Sequence, residues 1–500
     1  MNHWIIAPVV LPAMMAPLIV LFMRHDLTLK RVFSLAATLA LLAVSAVLLV
    51  QASSGGPQVY FLGNWPAPFG IVLVLDRLSA MMVALTALLA VLVLLYVIGS
   101  GWDARGKNFH ALFQFQLMGI CGAFLTGDAF NLFVFFEVLL IASYGLMIHG
   151  GGKDRLRAGV QYIAYNLMGS TLFLFALASI YAVTGTLNMA DLAVKVADLP
   201  EGQDALLRVA GVLLLIVFAV KGALVPFQFW LPGTYALAPG PVAALFAIMT
   251  KVGAYAVLRF YTLIFGPDVE TNGTFYADLL MPAAMVTMVL GMVGVLGARS
   301  LARVAAFAAI GSMGTLFMAM AAFTPGSAVA ALNYMIHSTI AGAMLFLVVD
   351  LVLSRRGTTA ITALPPMAQH GLITALFFAA AIAIAGMPPL SGFPGKLLVL
   401  QALFDRPDMA LTWPVILGGS LLAIVGLARA GSTVFWKAHA SPGDPAPHAA
   451  EPLAFVAVFG LLALIVVQTV LGGPLTVWLE ATAAQIFDTG AYVDAVLGLR

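Results

Sequence analysis

Apolar runs of about twenty residues recur along the whole chain, separated by short polar or turn-forming stretches. Fourteen can be marked, at 4–23, 31–51, 78–99, 109–127, 129–149, 158–184, 205–224, 241–266, 277–297, 300–323, 328–353, 372–388, 410–433 and 452–473. At 1.5 Å per residue, a run of about 20 residues spans the hydrocarbon core of a bilayer. Lipid offers the backbone no hydrogen-bond partners, so a spanning segment is either a helix or part of a closed barrel. Barrel strands alternate apolar and polar residues over about ten positions. Runs such as Ala80–Ile98 show no alternation, and the pattern therefore predicts helices. Two stretches interrupt it, 225–240 and 389–405. Pro226 stands in the first, and Pro388, Pro389 and Pro394 stand at the second. Proline lacks an N–H and clashes with the preceding turn, so the seventh and twelfth helices are predicted to be broken.

Composition removes whole classes of function. Of the 500 residues, 62% are hydrophobic and 9% charged, against about 45–50% and about 25% in soluble domains. A soluble enzyme, a disordered chain and a nucleic-acid binder are excluded. The net charge of +2 implies no strongly acidic or basic partner, and the lone Cys121 excludes disulfides and multi-cysteine metal sites. The start, MNHWIIAPVV, lacks the basic region of a signal peptide and reads as the first span. With the N-terminus outside and fourteen alternating spans, the inside loops collect Arg24, Lys30, Arg31, Arg105, Lys107, Lys153, Arg155, Arg157, Arg299, Arg303, Arg355, Arg356 and Lys437. The outside set is Arg77, Lys195, Arg208, Arg406 and Arg500. This is the positive-inside bias, and it predicts both termini outside. The tail after Gly473 reads as amphipathic, suited to the interface or to a partner.

Motifs for energy coupling are absent. HGGGKD at 149–154 and SGFPGKL at 391–397 lack the hydroxyl and the first glycine of a phosphate-binding loop. There is no HExxH, no CxxCH and no histidine pair suited to haem. No cofactor is expected, and transport would be driven by an ion gradient or by a partner.

Ionisable residues inside the spans carry the functional signal. A charge at mid-bilayer costs from about 3 to more than about 10 kcal/mol, so such groups mark ion paths. Glu137 sits halfway along the fifth span among Phe133, Phe135 and Phe136. Lys221 is followed by Gly222 and Pro226, and Lys396 follows the PPLSGFP break. Lys251 and His337 lie near the middles of their helices. Asp350, Arg259 and Arg429 are nearer span ends, where snorkelling or local pairing accounts for them. Broken helices at mid-membrane are where transporters place ion sites. The two lysine-bearing breaks lie five spans apart, an odd number, which predicts an inverted repeat of spans 4–8 against spans 9–13.

The stretch KGALVPFQFWLPGTYALAPGPVAALFAIMTKVGAYAVLRF, Lys221–Phe260, resembles the antiporter-like membrane subunits. These are the large antiporter-like subunits of respiratory complex I and the large subunits of Mrp-type (Pha-type) cation/proton antiporters. The resemblance extends through the Glu137 segment and PPLSGFPGK, and within the family it looks most like the D-type subunits of the Mrp/Pha antiporters. It implies an all-α polytopic membrane protein of fourteen helices. Residues 1–108 would form three leading spans, 109–266 and 277–436 the two inverted five-helix repeats, and 452–500 the last span and tail. It also implies a Glu137–Lys221 pair, Lys251 as a bridging lysine, His337 as a relay and Lys396 as the terminal lysine. The implied function is exchange of Na+ or K+ for protons, in a hetero-oligomer of the bacterial cytoplasmic membrane, with no enzymatic reaction. A proton-pumping component of complex I and a non-transporting scaffold are the alternative readings.

Overall fold

The computed structural model describes residues 2–199, 205–267, 269, 273–443 and 447–498. Arg500 of the expected outside set lies outside the described residues. Nineteen α-helices are present among the described residues. They are α1 (Ala7–Phe22), α2 (Leu27–Ser54), α3 (Arg77–Ser100), α4 (Phe109–Leu125), α5 (Ala129–Met147), α6 (Lys153–Thr184), α7 (Met189–Ala197), α8 (Ala205–Gly222), α9 (Trp230–Leu237) and α10 (Gly240–Leu263). There follow α11 (Phe275–Gly297), α12 (Leu301–Met320), α13 (Pro325–Arg356), α14 (His370–Ala385), α15 (Gly392–Ala402), α16 (Met409–Gly431), α17 (Pro452–Val470), α18 (Gly472–Phe487) and α19 (Thr489–Leu497). Eleven helices are long and apolar enough to cross a membrane, and α1, α4 and α14 are shorter apolar helices. Each of the fourteen apolar segments of the sequence falls on one of these helices.

Local chemistry sets the boundaries. Asp76 and Ser79 close a capping box at the start of α3, and Thr324 and Ser327 do the same for α13, each satisfying backbone donors that the first turn leaves over. Asp128 caps α5 and Ser300 caps α12. The lipid-type helices α2 and α6 leave one side exposed, whereas α10 is buried along its whole length. A helix that is apolar on all sides belongs in the centre of a bundle, and α10 packs there against α3, α8 and α13.

The pattern did not foresee the small hairpin of β1 (Gln58–Phe61) and β2 (Val72–Leu75), antiparallel and in register from Gln58–Leu75 to Phe61–Val72. Its strands are four residues long, too short to stand out beside the helical runs.

Contacts sort the connections to two ends of the bundle. At one end Arg31 pairs with Asp103, Arg155 donates to Leu237 O, Arg355 pairs with Glu451, and Arg429 donates to Ala298 O. Asp350 at the close of α13 accepts from Tyr96 at 2.8 Å and Trp102 at 2.9 Å. The other end holds the hairpin, the Asp128–Asn188 bridge and the Arg259–Asp76 ion pair at 2.6 Å. The three span-end charges thus find partners locally.

Candidate functional site

Both predicted breaks are present. The helix α8 stops at Gly222, and the chain runs irregularly through Pro226 before α9 begins at Trp230. The exposed ends of the backbone are met by side chains. Val225 N–H donates to Thr287 Oγ1 at 2.9 Å, and Trp230 Nε1 donates to Val220 O at 2.9 Å. At the second break α14 ends at Ala385 and α15 starts at Gly392. Here the lysine itself does the capping: Lys396 Nζ donates to Ala385 O at 2.8 Å and to Ser420 Oγ at 2.9 Å. A cation at a helix C-terminus meets carbonyls that have no partner within the helix.

Glu137 and Lys221 do not form an ion pair within 4 Å among the described residues. The two are linked through α6. Ser170 Oγ donates to Glu137 Oε1, and Lys221 Nζ donates to Asn166 Oδ1 at 3.2 Å. Asn166 and Ser170 are four residues apart, which puts them on one face of α6. Asn166 is oriented by its own bond from Nδ2 to Tyr162 O at 2.9 Å. The result is a polar line, Glu137–Ser170 and Asn166–Lys221, laid across a helix. Glu137 is half-buried on α5 while Lys221 is buried. A cavity of about 10 Å³, close to the size of one water molecule, is lined by Lys221, Asn166, Tyr162, Trp230 and Met249.

The second cluster gathers His337 and Lys396. His337 Nδ1 is 2.8 Å from Ser391 Oγ, a residue of the second break, and the Ala383 carbonyl is a further partner of the ring. His337 lies within electrostatic reach of both Lys396 and Lys251. Lys251 is buried on α10, one residue from the Lys221 cavity lining at Val252. Four of the five expected residues are therefore buried and Glu137 is half-buried, with Lys251 on the helix that lines the Lys221 cavity and within electrostatic reach of His337.

Sequence reasoning missed Asn166, Ser170, Ser391 and Ser420, each of which touches one of the five. Asn166 and Ser170 had a signal, two polar residues at helical spacing inside an apolar run. Ser420 had none beyond being a hydroxyl in a span. Among the described residues no group of three or more His, Cys, Asp or Glu side chains could hold a metal ion.

Comparisons with known proteins agree along the full chain. Residues 126–422 match the family model described as NADH:quinone oxidoreductase/Mrp antiporter, TM. The D-type subunit of the Na(+)/H(+) antiporter of Bacillus subtilis is 36% identical over 505 residues, covering 99% of this chain and 100% of the relative. The D-type subunit of a probable K(+)/H(+) antiporter of Rhizobium meliloti is 37% identical over 533 residues, covering 99% and 98%. A chain in the structure of the Mrp complex from Dietzia sp. superposes with a TM-score of 0.90 at 27% identity, covering 100% of both chains. A chain of respiratory complex I from Thermus thermophilus shares the fold, with a TM-score of 0.78 at 23% identity, covering 97% of this chain and 99% of that one. The chain belongs to the NADH:quinone oxidoreductase/Mrp antiporter family of membrane subunits.

Proposed function

We propose that the chain is the D-type subunit of a multisubunit antiporter that exchanges Na+ or K+ for protons across the bacterial cytoplasmic membrane. The observation that carries this reading is end-to-end similarity to the D-type antiporter subunits of two bacteria. Two helix breaks, each with a buried lysine, give it a physical basis.

Glu137, Lys221, Lys251, His337 and Lys396 form the proton path in this reading. Burial disfavours the charged form of a lysine, and a nearby carboxylate favours it. Moving Glu137 relative to Lys221 would then decide whether the lysine holds or releases its proton. The α6 line makes that coupling adjustable, because hydroxyl and amide groups join the two charges without locking them together. A released proton would pass to Lys251, then to His337 and Lys396. The cation moves elsewhere in the assembly and shifts this equilibrium through charge. Partner subunits, protons and Na+ or K+ are the interacting species.

The same reading has fourteen spans, α8 with α9 and α14 with α15 each counting as one. The basic end of the bundle is cytoplasmic and both termini lie outside. Residues 109–266 and 277–436 are the inverted repeats, preceded by three spans at 1–108 and followed by the last span and tail at 452–500. The clustering of Arg31, Arg155, Arg355 and Arg429 at one end supports this orientation. Purification of the native complex tests the function: companion antiporter subunits and cation-dependent proton exchange in vesicles are expected. Flavin and iron–sulfur partners would overturn it. A reporter fused after Arg356 is expected to be cytoplasmic and one after Asp278 outside.

A further inference from the structure

At the basic end of the bundle, α13 closes on two arginines with different surroundings. Arg355 is paired with Glu451 at 3.2 Å and donates to Gln369 Oε1 at 2.8 Å. The half-buried Arg356 donates from Nη2 to Thr362 O at 2.8 Å. Its Nε and Nη1 are buried and have no acceptor among the described residues. Leaving a charged group out of water without a partner costs more than leaving a neutral one.

His370 opens α14 nearby. Its Nε2 lies 3.0 Å from Phe435 O, and a carbonyl only accepts, so Nε2 carries the proton. Its Nδ1 is buried and has no partner among the described residues. Phe435 belongs to a π-helical turn, Ser432–Trp436, that follows α16, a distortion frequent at functional sites. The ring of His439 stands edge-on to His370, with centroids 5.0 Å apart. His370 is within electrostatic reach of Arg356 and His439, and no carboxylate among the described residues acts on His370 or Arg356. Three segments thus bring basic side chains together without a counter-charge. Beside them the surface is apolar: Leu372 is exposed, and Trp436 stacks on Phe378 while 62% exposed. An exposed tryptophan in a membrane protein sits at headgroup level.

We propose that Arg356, His370 and His439 bind a phosphate group, and that an anionic phospholipid of the adjoining leaflet supplies it, its acyl chains lying beside Leu372 and Trp436. The free N–H groups of a guanidinium suit phosphate oxygens. Protonation turns His370 Nδ1 into a second donor, and the negative charge offsets the repulsion among the three bases. Basic pockets between membrane helices are where anionic headgroups bind. The bound phosphate ties the end of α13 to the start of α14 and the turn after α16. These helices carry His337, the near side of the second break and Ser420. The site does not depend on which ions the chain transports.

Photo-crosslinking in the whole complex tests this. The photoreactive residue p-benzoylphenylalanine replaces Trp436 or, as a control, Leu156, which is exposed between Arg155 and Arg157 on α6. The complex is reconstituted in vesicles of equal phosphatidylglycerol and phosphatidylcholine with matched acyl chains. After irradiation, mass spectrometry gives the ratio of the two lipids attached at each position. A general attraction of anionic lipid to basic loops enriches both positions alike, so the ratio at Trp436 divided by that at Leu156 reads the site. This quotient is expected to be about ten, the worth of about one charge-assisted hydrogen bond. Arg356→Gln with His370→Gln should bring it close to unity. His439→Gln, on an exposed turn, should lower it by itself, and it decides if the double substitution prevents assembly. A quotient near unity in the complex with all three bases intact overturns the proposal, as does one that none of these substitutions lowers. Inorganic phosphate, compared with chloride at equal ionic strength, should leave the quotient unchanged. If it abolishes the enrichment, free phosphate is the occupant and the lipid assignment is overturned.

Discussion

Gly386 offers a quantitative test of how the second break holds its lysine. It follows α14 with φ +78, and a Cβ built there meets Lys396 Cδ at 2.6 Å and Nζ at 3.1 Å. Gly357 follows α13 with φ +68 and has nothing within 4 Å, which makes it an internal control. Alanine at either site carries the left-handed penalty of about 1–2 kcal/mol, offset by about 0.4–1 kcal/mol through a less flexible unfolded chain. Only Gly386→Ala also pushes on Lys396, a residue of the proposed proton path. At 2.6 Å an atom must move, and the flexible lysine stem yields before the backbone does. Nζ then leaves Ala385 O, at 2.8 Å, or Ser420 Oγ, at 2.9 Å. A hydrogen bond from a charged donor is worth about 1.5–3 kcal/mol. Gly386→Ala should therefore cost about 1.5–3 kcal/mol more than Gly357→Ala. With about 1.4 kcal/mol per factor of ten, the native lysine position is depopulated roughly ten- to a hundredfold, and exchange should fall in step. The assays are unfolding of the purified complex and cation-induced pH change in inverted vesicles at matched assembly. Equal stability and equal exchange in the two variants would refute the reasoning.

Lys221→Ala and Lys221→Arg should both abolish exchange, because an arginine keeps its proton throughout a cycle; near-native exchange in Lys221→Arg would make the residue an electrostatic anchor. Glu137→Gln should assemble and lose most exchange, while Ser170→Ala, which removes a neutral partner of Glu137, should slow it less; the reverse order in a vesicle assay would sink the α6 line. Arg259→Met leaves Asp76 buried without its ion-pair partner and should cost about 3–5 kcal/mol, with Asp76→Asn in the same chain restoring part of it in a thermal unfolding series. Burial alone would push the Asp103 carboxyl up, but hydrogen bonds from Arg31 and His110 hold it down at about 2, from an ordinary 3.8. Its ionised form therefore favours the folded state above about pH 4, and that contribution is lost as pH falls toward about 2. Asp103→Asn should flatten this part of the acid-unfolding profile of the purified complex, and an unchanged profile would count against the Arg31–Asp103–His110 cluster as a stabilising contact.

The sequence by itself determined the helices, the breaks and the residues worth testing. Burying backbone in lipid forces helices, so twenty-residue apolar runs could be read directly as elements. Proline acts on its own backbone and the turn before it, so Pro226 and Pro388–Pro389 announced the interruptions without any tertiary information. Charge in a span is costly enough to single out Glu137, Lys221, Lys251, His337 and Lys396. The tertiary structure alone decided what each of them touches. Asn166 and Ser170 stand between Lys221 and Glu137 because α6 packs beside both α5 and α8, a matter of helix neighbourhood that composition does not record. Lys396 caps α14 across the break, and Ser420 meets it from α16. Asp76, at the start of α3, finds Arg259 on α10, far away in the sequence. The tail read as merely amphipathic because the residues of α13 and α15 that share a cavity with α18 come from distant segments. Periodicity and local backbone chemistry act over a few residues and are legible in order, whereas partners chosen by packing exist only once the helices have met.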